Sequence, residues 1–169
     1  MLGAMRAKGR KPTLIHYHVA MDRAGKEGAS TGLLQLFDEL VGDGHSPTVV
    51  TINTTLQAYE KTGQWKQAMR LFDSMASEYG VRPNVISYSS LIAALARGRQ
   101  WRQARHYFEQ SLAAGLVPSP LSFEVAIMAC AKGEGNWERA RQLIEMMRTL
   151  KLGPNASWYV PLGSFVCHF

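Results

Sequence analysis

VISYSSLIAALARGRQWRQARHYFEQSLAAGLVPS, residues 85–119, decides the fold of this chain. Tyr88, Leu91, Ile92 and Leu95 recur at spacings of three and four, the pattern of one apolar helix face. Gly98 follows them, as expected of a residue that ends a helix in the left-handed conformation. A second stripe, Ala104, Tyr107 and Phe108, opens just after Trp101 and runs to Gly115. Pro118 then prevents continuation, because proline lacks the backbone N–H and crowds the preceding turn. The stretch reads as an antiparallel helical hairpin closed by a proline turn.

The same pattern is written on both sides, in VVTINTTLQAYEKTGQWKQAMRLFDSMASEYGVRPN (49–84) and PLSFEVAIMACAKGEGNWERARQLIEMMRTLKLGPN (120–155). Trp65, Trp101 and Trp137 stand 36 residues apart, the interval of a repeat array. Three residues after each comes Ala68, Ala104 or Ala140, small where two helices must approach closely, and then Phe72, Phe108 or Ile144. The first helices carry Ile52, Leu56 and Tyr59, or Phe123, Ile127 and Cys130. The second carry Leu71 and Met75, or Leu143 and Met147. Gly63 and Gly133 are placed to end first helices, Gly80 and Gly153 second ones, and Pro83 and Pro154 close the units. At the start of the second helix each Trp is expected to pack hairpins together rather than to stack on a base.

Residues 11–48 read as a degenerate first repeat, with Leu14, Tyr17 and Met21, then Leu33, Leu36, Phe37 and Leu40, then Pro47. Its linker, Gly25–Gly32, looks about three residues too long, and it lacks the Trp. Residues 1–10 form an N-terminal extension whose Arg6, Lys8 and Arg10, with no acid before Asp22, suit either an organelle-targeting leader or a start inside a longer array. Residues 156–169 begin a further repeat and stop short. Pro161 interrupts the helix, and Val160, Leu162, Phe165, Val166 and Phe169 have no second helix to bury against. Because solenoid ends normally carry a polar cap, the array is expected to be cut.

Composition agrees with a folded chain: 46% hydrophobic and 19% charged residues over 169 positions. The formal charge of +6 favours a polyanionic partner. No apolar run reaches the roughly 18 residues of a membrane span. Cys130 and Cys167 make no disulfide framework, and Cys130 reads as a core thiol. His16 and His18 lack further ligands at metal-binding spacing, and the glycine-rich 25–32 stretch lacks the Lys-Ser/Thr of a phosphate loop. The zinc-deaminase signature is absent. Asn53-Thr54-Thr55 and Asn155-Ala156-Ser157 match the glycosylation pattern by chance, in the absence of a secretory signal. No catalytic residue, metal, cofactor or small-molecule substrate is expected.

The tetratricopeptide repeat shares the Ala-x3-Phe of the second helix, but its Trp-x2-Leu-Gly-x2-Tyr is missing here. The chain instead resembles the pentatricopeptide repeat family. Val50-Thr51-Ile52-Asn53-Thr54-Thr55-Leu56 and Ile86-Ser87-Tyr88-Ser89-Ser90-Leu91-Ile92 match that family's Val-x-Tyr-Asn-x-Leu-Ile opening. Lys61-Thr62-Gly63, Ala68 to Met75 and Gly80 to Asn84 match the rest of its unit. The resemblance covers residues 49–155 well and 11–48 loosely.

The resemblance implies an all-α fold, a right-handed α-solenoid of stacked helix–turn–helix hairpins of about 35–36 residues. It also implies single-stranded RNA as partner, about one base per repeat, read by two residues per unit. Here these are Asn53 with Asn84, Ser89 with Ser119, and Glu124 with Asn155, with Ile15 and Thr48 in the loose unit. An Asn pair implies a pyrimidine, and the serine pair, which departs from the family's common pairs, suggests a purine. Glu124, acceptor-only when ionised and close to RNA's charge, should read poorly. Val50, Ile86 and Leu121 match the aliphatic residue that the family wedges between bases, while Pro12 matches by place alone. Burial of the three against the preceding unit is the other reading, and both can hold. Arg23, Lys61, Arg97 and Lys132 align near the ends of the first helices, as phosphate contacts or simply as cations favoured at a helix C-terminus. Arg99, Arg102 and Arg105 read as solvated surface.

The implied setting is a mitochondrion or chloroplast, in transcript processing, stability, editing or translation beside other organellar RNA-processing proteins. The alternative is a protein-binding α-solenoid scaffold or a structural subunit of a ribonucleoprotein. The two differ in whether Asn53, Ser89 and Glu124 face the same groove as the basic series.

Overall fold

The computed structural model describes residue 9, residues 11–130 and residues 137–152. Among them lie eight helices and no strand: α1 Leu14–Lys26, α2 Ser30–Gly42, α3 Val49–Thr62, α4 Trp65–Ser77, α5 Val85–Arg97, α6 Trp101–Ala113, α7 Pro120–Ala129 and α8 Trp137–Thr149. Lys132, Gly133, Gly153, Pro154, Asn155, Cys167 and the 156–169 segment lie outside the described residues, as does the 1–10 extension apart from Gly9.

Local chemistry sets where each first helix begins. Thr48, Asn84 and Ser119 each follow a proline, hold extended backbone, and accept backbone N–H groups of the next turn on their side-chain oxygens. A cap of this kind is worth about 1 kcal/mol against alanine. Thr13 follows Pro12 in the same extended conformation, and its N–H donates to Nδ1 of His16 at 3.2 Å. Glycine ends the turns where the sign of φ demands it: Gly63, Gly80 and Gly115 have φ of 72°, 63° and 73°.

Gly98 departs from the expectation of a left-handed cap. Its φ is −75°, and Arg99 takes the left-handed place at φ 55°. Glycine is required there for space: a Cβ at Gly98 would meet the Trp65 indole within 2.7 Å of Cγ.

The linker of the first hairpin is also not too long. Gly25 and Gly32 lie inside α1 and α2, and the connection is Glu27–Ala29, as long as Gly98–Gln100 between α5 and α6. Ala29, Gln64 and Gln100 enter their helices with matching backbone angles, φ −78°, −86° and −89° with ψ 63°, 59° and 64°. The roughly 1 kcal/mol cost of a helical glycine is overridden by packing. Leu33 fills the place of the recurring alanine, and its Cδ1 lies 3.6 Å from where a Gly25 side chain would begin.

The helices form two layers. Each first helix packs on the next first helix (α1 on α3, α3 on α5, α5 on α7), and each of α2, α4 and α6 sits between its own first helix and the following one. The core runs between the layers through Tyr17, Leu40, Ile52, Leu56, Met75, Leu91, Leu95, Phe108 and Phe123. Cys130 is fully buried. The recurring phenylalanine joins hairpins to each other. Phe72 meets Tyr88 and Tyr107 edge-on at 4.8 and 5.4 Å, and Phe108 meets Phe123 at 5.0 Å. Such aromatic pairs add about 0.5–1.5 kcal/mol beyond burial. No helix of the described residues is long and apolar enough to cross a membrane.

Candidate functional site

Pro12, Pro47, Pro83 and Pro118 recur at 35, 36 and 35 residues and fix a common register. Counting from them places equivalent residues on all four first helices, including the one that lacked a Trp.

Three residues after each proline comes an aliphatic residue: Ile15, Val50, Ile86 and Leu121. They are 72, 66, 52 and 47% exposed. Single exposed aliphatics are ordinary, but four at one register position form a row. Val50, Ile86 and Leu121 thus keep about half of their surface or more open, the remainder being covered by the fold. Ile15 stands in this row by register, and Pro12 is buried.

Six residues after each proline stand His18, Asn53, Ser89 and Glu124. The fold brings the first three against the cap of the next helix. Asn53 Nδ2 donates to Asn84 Oδ1 at 3.2 Å, and the Ser89 hydroxyl donates to Ser119 Oγ at 2.9 Å. His18 Nε2 lies 3.4 Å from Thr48 Oγ1. His18, not Ile15, is thus the partner of Thr48. Asn53 is nearly covered, while Asn84, Ser89 and Ser119 are half-buried. Glu124 is half-buried too, and desolvation pushes its carboxyl above the usual carboxylate range. Its partner Asn155 lies outside the described residues.

Fourteen residues after each proline come Lys26, Lys61, Arg97 and Lys132. Arg23 does not align with this series. It stands almost one turn earlier and pairs with Glu27 at 2.8 Å. Lys26 pairs with Asp22 at 2.6 Å, and Arg97 reaches Glu60 across the hairpin boundary at 3.4 Å. Exposed pairs like these are worth little and exchange readily for another anion. Lys61 makes no ion pair among the described residues, and Lys132 lies outside them.

Lys61 lines two hollows. One, of about 220 Å³, holds Asp22, Lys26, Thr54 and Gln57. The other, of about 410 Å³, is walled by Ile86, Leu121, Ser89, Ser119 and Glu60. At this junction two members of the aliphatic row, the Ser89–Ser119 pair and a basic residue therefore face one groove. No three His, Cys, Asp or Glu side chains converge as a metal site among the described residues. His16 is engaged with Thr13, and His18 with Thr48 and Thr51.

From the sequence, Ile15 was set beside Thr48 and His18 was weighed only as a metal ligand, while Lys26 and the buried hydroxyls Thr51, Ser87 and Ser122 were given no role. The interval from Pro12 to Pro47 carried the signal for Ile15, His18 and Lys26. The glycines at 25 and 32 obscured it, because they suggested a loop where the chain is helical.

A model described as the PPR repeat family matches residues 47–97, and one described as PPR repeat matches 86–116. A chloroplastic pentatricopeptide repeat-containing protein of Arabidopsis thaliana is 31% identical over 74 residues, 44% of this chain. The chain spans 10% of that relative's length. The crystal structure of the pentatricopeptide repeat protein PPR10 from maize superposes with a TM-score of 0.71 at 22% identity, over 92% of this chain and 22% of that one. PPR10 in complex with an 18-nt psaJ RNA element gives 0.68. The PPR domain of Arabidopsis thaliana protein-only RNase P 1, in complex with tRNA, gives 0.79 at 14% identity, over 96% of this chain and 84% of that one. These structures share the helical-hairpin solenoid with this chain.

Proposed function

The chain belongs to the pentatricopeptide repeat family, and on that premise we propose that it binds single-stranded RNA along its first helices, about one base per repeat, without catalysis. The observation that carries the reading is the groove in which Ser89, Ser119, Ile86, Leu121 and Lys61 meet. It combines a hydrogen-bonding pair for a base edge, aliphatic surface for base faces, and a cation for the backbone.

The reading pairs are His18–Thr48, Asn53–Asn84, Ser89–Ser119 and Glu124–Asn155. Ile15, Val50, Ile86 and Leu121 lie between successive bases. Lys26, Lys61, Arg97 and Lys132 neutralise phosphates, and Lys26 replaces Arg23 in that role. Four units contact about four bases, so this stretch binds modestly by itself and contributes to a longer array or acts beside other RNA-processing proteins. RNA-bound PPR10 supports the partner class, and the relative named as chloroplastic supports an organelle, chloroplast or mitochondrion, as the setting.

Selection from a randomised single-stranded RNA pool tests the proposal. Enrichment of a short motif, lost when Lys26, Lys61 and Arg97 are reversed in charge, is the expected result. A pool left unenriched, with charge reversal making no difference, overturns it in favour of a protein-binding scaffold.

A further inference from the structure

We infer that the buried hydroxyl on the third residue of the following first helix (Thr51, Ser87 or Ser122) is a positioning residue that sets which hydrogen-bonding groups the preceding repeat offers to a base. The inference rests on the RNA reading above and extends it: the selectivity of one repeat is decided partly by its neighbour.

The three hydroxyl residues are 2, 0 and 1% exposed, so none is available to RNA directly. Each instead touches the reading residue of the repeat before it. Ser87 donates to Asn53 Oδ1 at 2.6 Å. Ser122 donates to Ser89 Oγ at 3.3 Å. Thr51 Oγ1 lies 2.6 Å from His18 Nε2 and 2.9 Å from Thr48 Oγ1. The same triangle thus recurs at three junctions with different chemistry at its corners.

At the Asn junction the network fixes both amides. Asn84 Oδ1 accepts the backbone N–H groups of Ile86 and Ser87, each at 3.0 Å, so that atom must be oxygen. The Asn53 atom facing it is then the nitrogen, and the Asn53 oxygen turns to the Ser87 hydroxyl. Ser87 is oriented in turn, because its oxygen accepts the Asn84 backbone N–H at 3.1 Å. Both amide oxygens are engaged, and the groups left over are N–H donors. Uracil presents O2 and O4 on its Watson–Crick edge, and cytosine O2 and N3. Of acceptors, adenine has only N1 there and guanine only O6. A donor face therefore favours pyrimidines.

The serine junction has the opposite polarity. Ser89 donates to Ser119, Ser122 donates to Ser89, and Ser119 lies 3.0 Å from Ser122. With Ser119 donating to Ser122, the three hydroxyls close a ring that uses its hydrogens internally; Ser119 Oγ also accepts the Ser122 backbone N–H at 3.3 Å, so the lone pair left over belongs to Ser89. That face favours a base with donors on its edge, guanine above all.

The test is base preference, position by position, of the full chain selecting from a randomised RNA pool. Wild type is compared with Ser87→Ala, Ser87→Thr, Ser122→Ala, Thr51→Val and Asn53→Ala, with helicity and melting recorded for each. Ser87→Ala removes one of the two contacts that orient the Asn53 amide and leaves its oxygen open to accept from a base. It should reduce the pyrimidine preference at one position by about fivefold, the factor a neutral hydrogen bond supplies, and leave other positions unchanged. Ser87→Thr, which keeps the hydroxyl, should retain the preference, and Ser122→Ala should alter only the adjoining position. A wild-type profile in Ser87→Ala while Asn53→Ala flattens the position overturns this inference alone. If Asn53→Ala also leaves the profile intact, the RNA-reading assignment fails with it. Should Ser87→Ala not fold, Thr51→Val, which removes a hydroxyl at constant shape, is read at the His18 position by the same criterion. Uniform loss at every position would make the hydroxyls merely structural and overturn the inference.

Discussion

The indole of Trp65 occupies the space that a side chain on Gly98 would need. One residue opens the second helix of its hairpin and the other follows the first helix of the next, so the contact locks adjacent repeats. The φ of Gly98 is one that any residue adopts, which leaves crowding as the reason for glycine. Gly98→Ala should cost about 1–3 kcal/mol by overpacking, measured by urea denaturation. Trp65→Leu in the same chain should relieve part of that cost, giving a double-mutant coupling. Gly63→Ala should be destabilising by about 1–2 kcal/mol with no such rescue, because its strain lies in the backbone.

Tyr107 ties second helices together by donating to Asp73 Oδ1 at 2.8 Å. Burial, then the hydrogen bond and charge of Asp73, hold its phenol far above the ordinary value. In alkaline solution the unfolded chain releases this proton first, near pH 10, while the folded phenol keeps it. Stability should therefore be fully present below about pH 10 and fall as pH rises beyond it. Tyr107→Phe should lower the melting temperature at neutral pH, through loss of about 1 kcal/mol, and flatten part of the alkaline decline.

Lys26 and Arg23 separate two phases of the first helix. Lys26→Glu should weaken RNA binding and reduce the slope of log K against log salt by at least the roughly 0.7 that one phosphate contact contributes on a single strand. Arg23→Glu, away from the aligned series, should leave that slope close to the wild-type value. Filter binding across a salt series distinguishes them.

Glu124 brings a carboxylate into the row of residues proposed to read bases. Because burial raises its pKa, lowering the pH below neutrality should neutralise it earlier than an ordinary glutamate and strengthen RNA binding. Glu124→Gln should bind more tightly at pH 7 and lose that acid-side gain, as a titration between pH 5 and 8 would record.

His18→Ala should change base preference only at the end position of the bound RNA, leaving the Asn53 and Ser89 positions as they are. A selection profile from this single variant checks whether the first hairpin reads.

Much of this architecture follows from local rules. Phe72 and Phe108 reach the core from their place in a 3.6-residue stripe, and Thr48, Asn84 and Ser119 cap helices because each is a short polar residue after proline. The pairing of Asn53 with Asn84 and Ser89 with Ser119 was implied by the family resemblance rather than by the periodicity, and hydrogen bonds of 3.2 and 2.9 Å join those residues. Residue chemistry misled at Gly25 and Gly32. Their low helix propensity suggested a loop, and the misplaced loop set Arg23 and Ile15 at places in the alignment that the proline register gives to Lys26 and His18.

By itself, then, the amino-acid sequence determined the period, the all-helical class and the residues that begin and end helices, because these depend on contacts within a few residues. The tertiary structure decided the phase of the first hairpin, the need for Gly98 and the polarity of the Asn53–Asn84 and Ser89–Ser119 pairs. Those depend on what a neighbouring repeat presses against the chain: Leu33 beside Gly25, Trp65 over Gly98 and the Ser87 hydroxyl on Asn53. Side chains some 30 residues apart acquire their orientation only when the layers close, and no pattern within one repeat contains it.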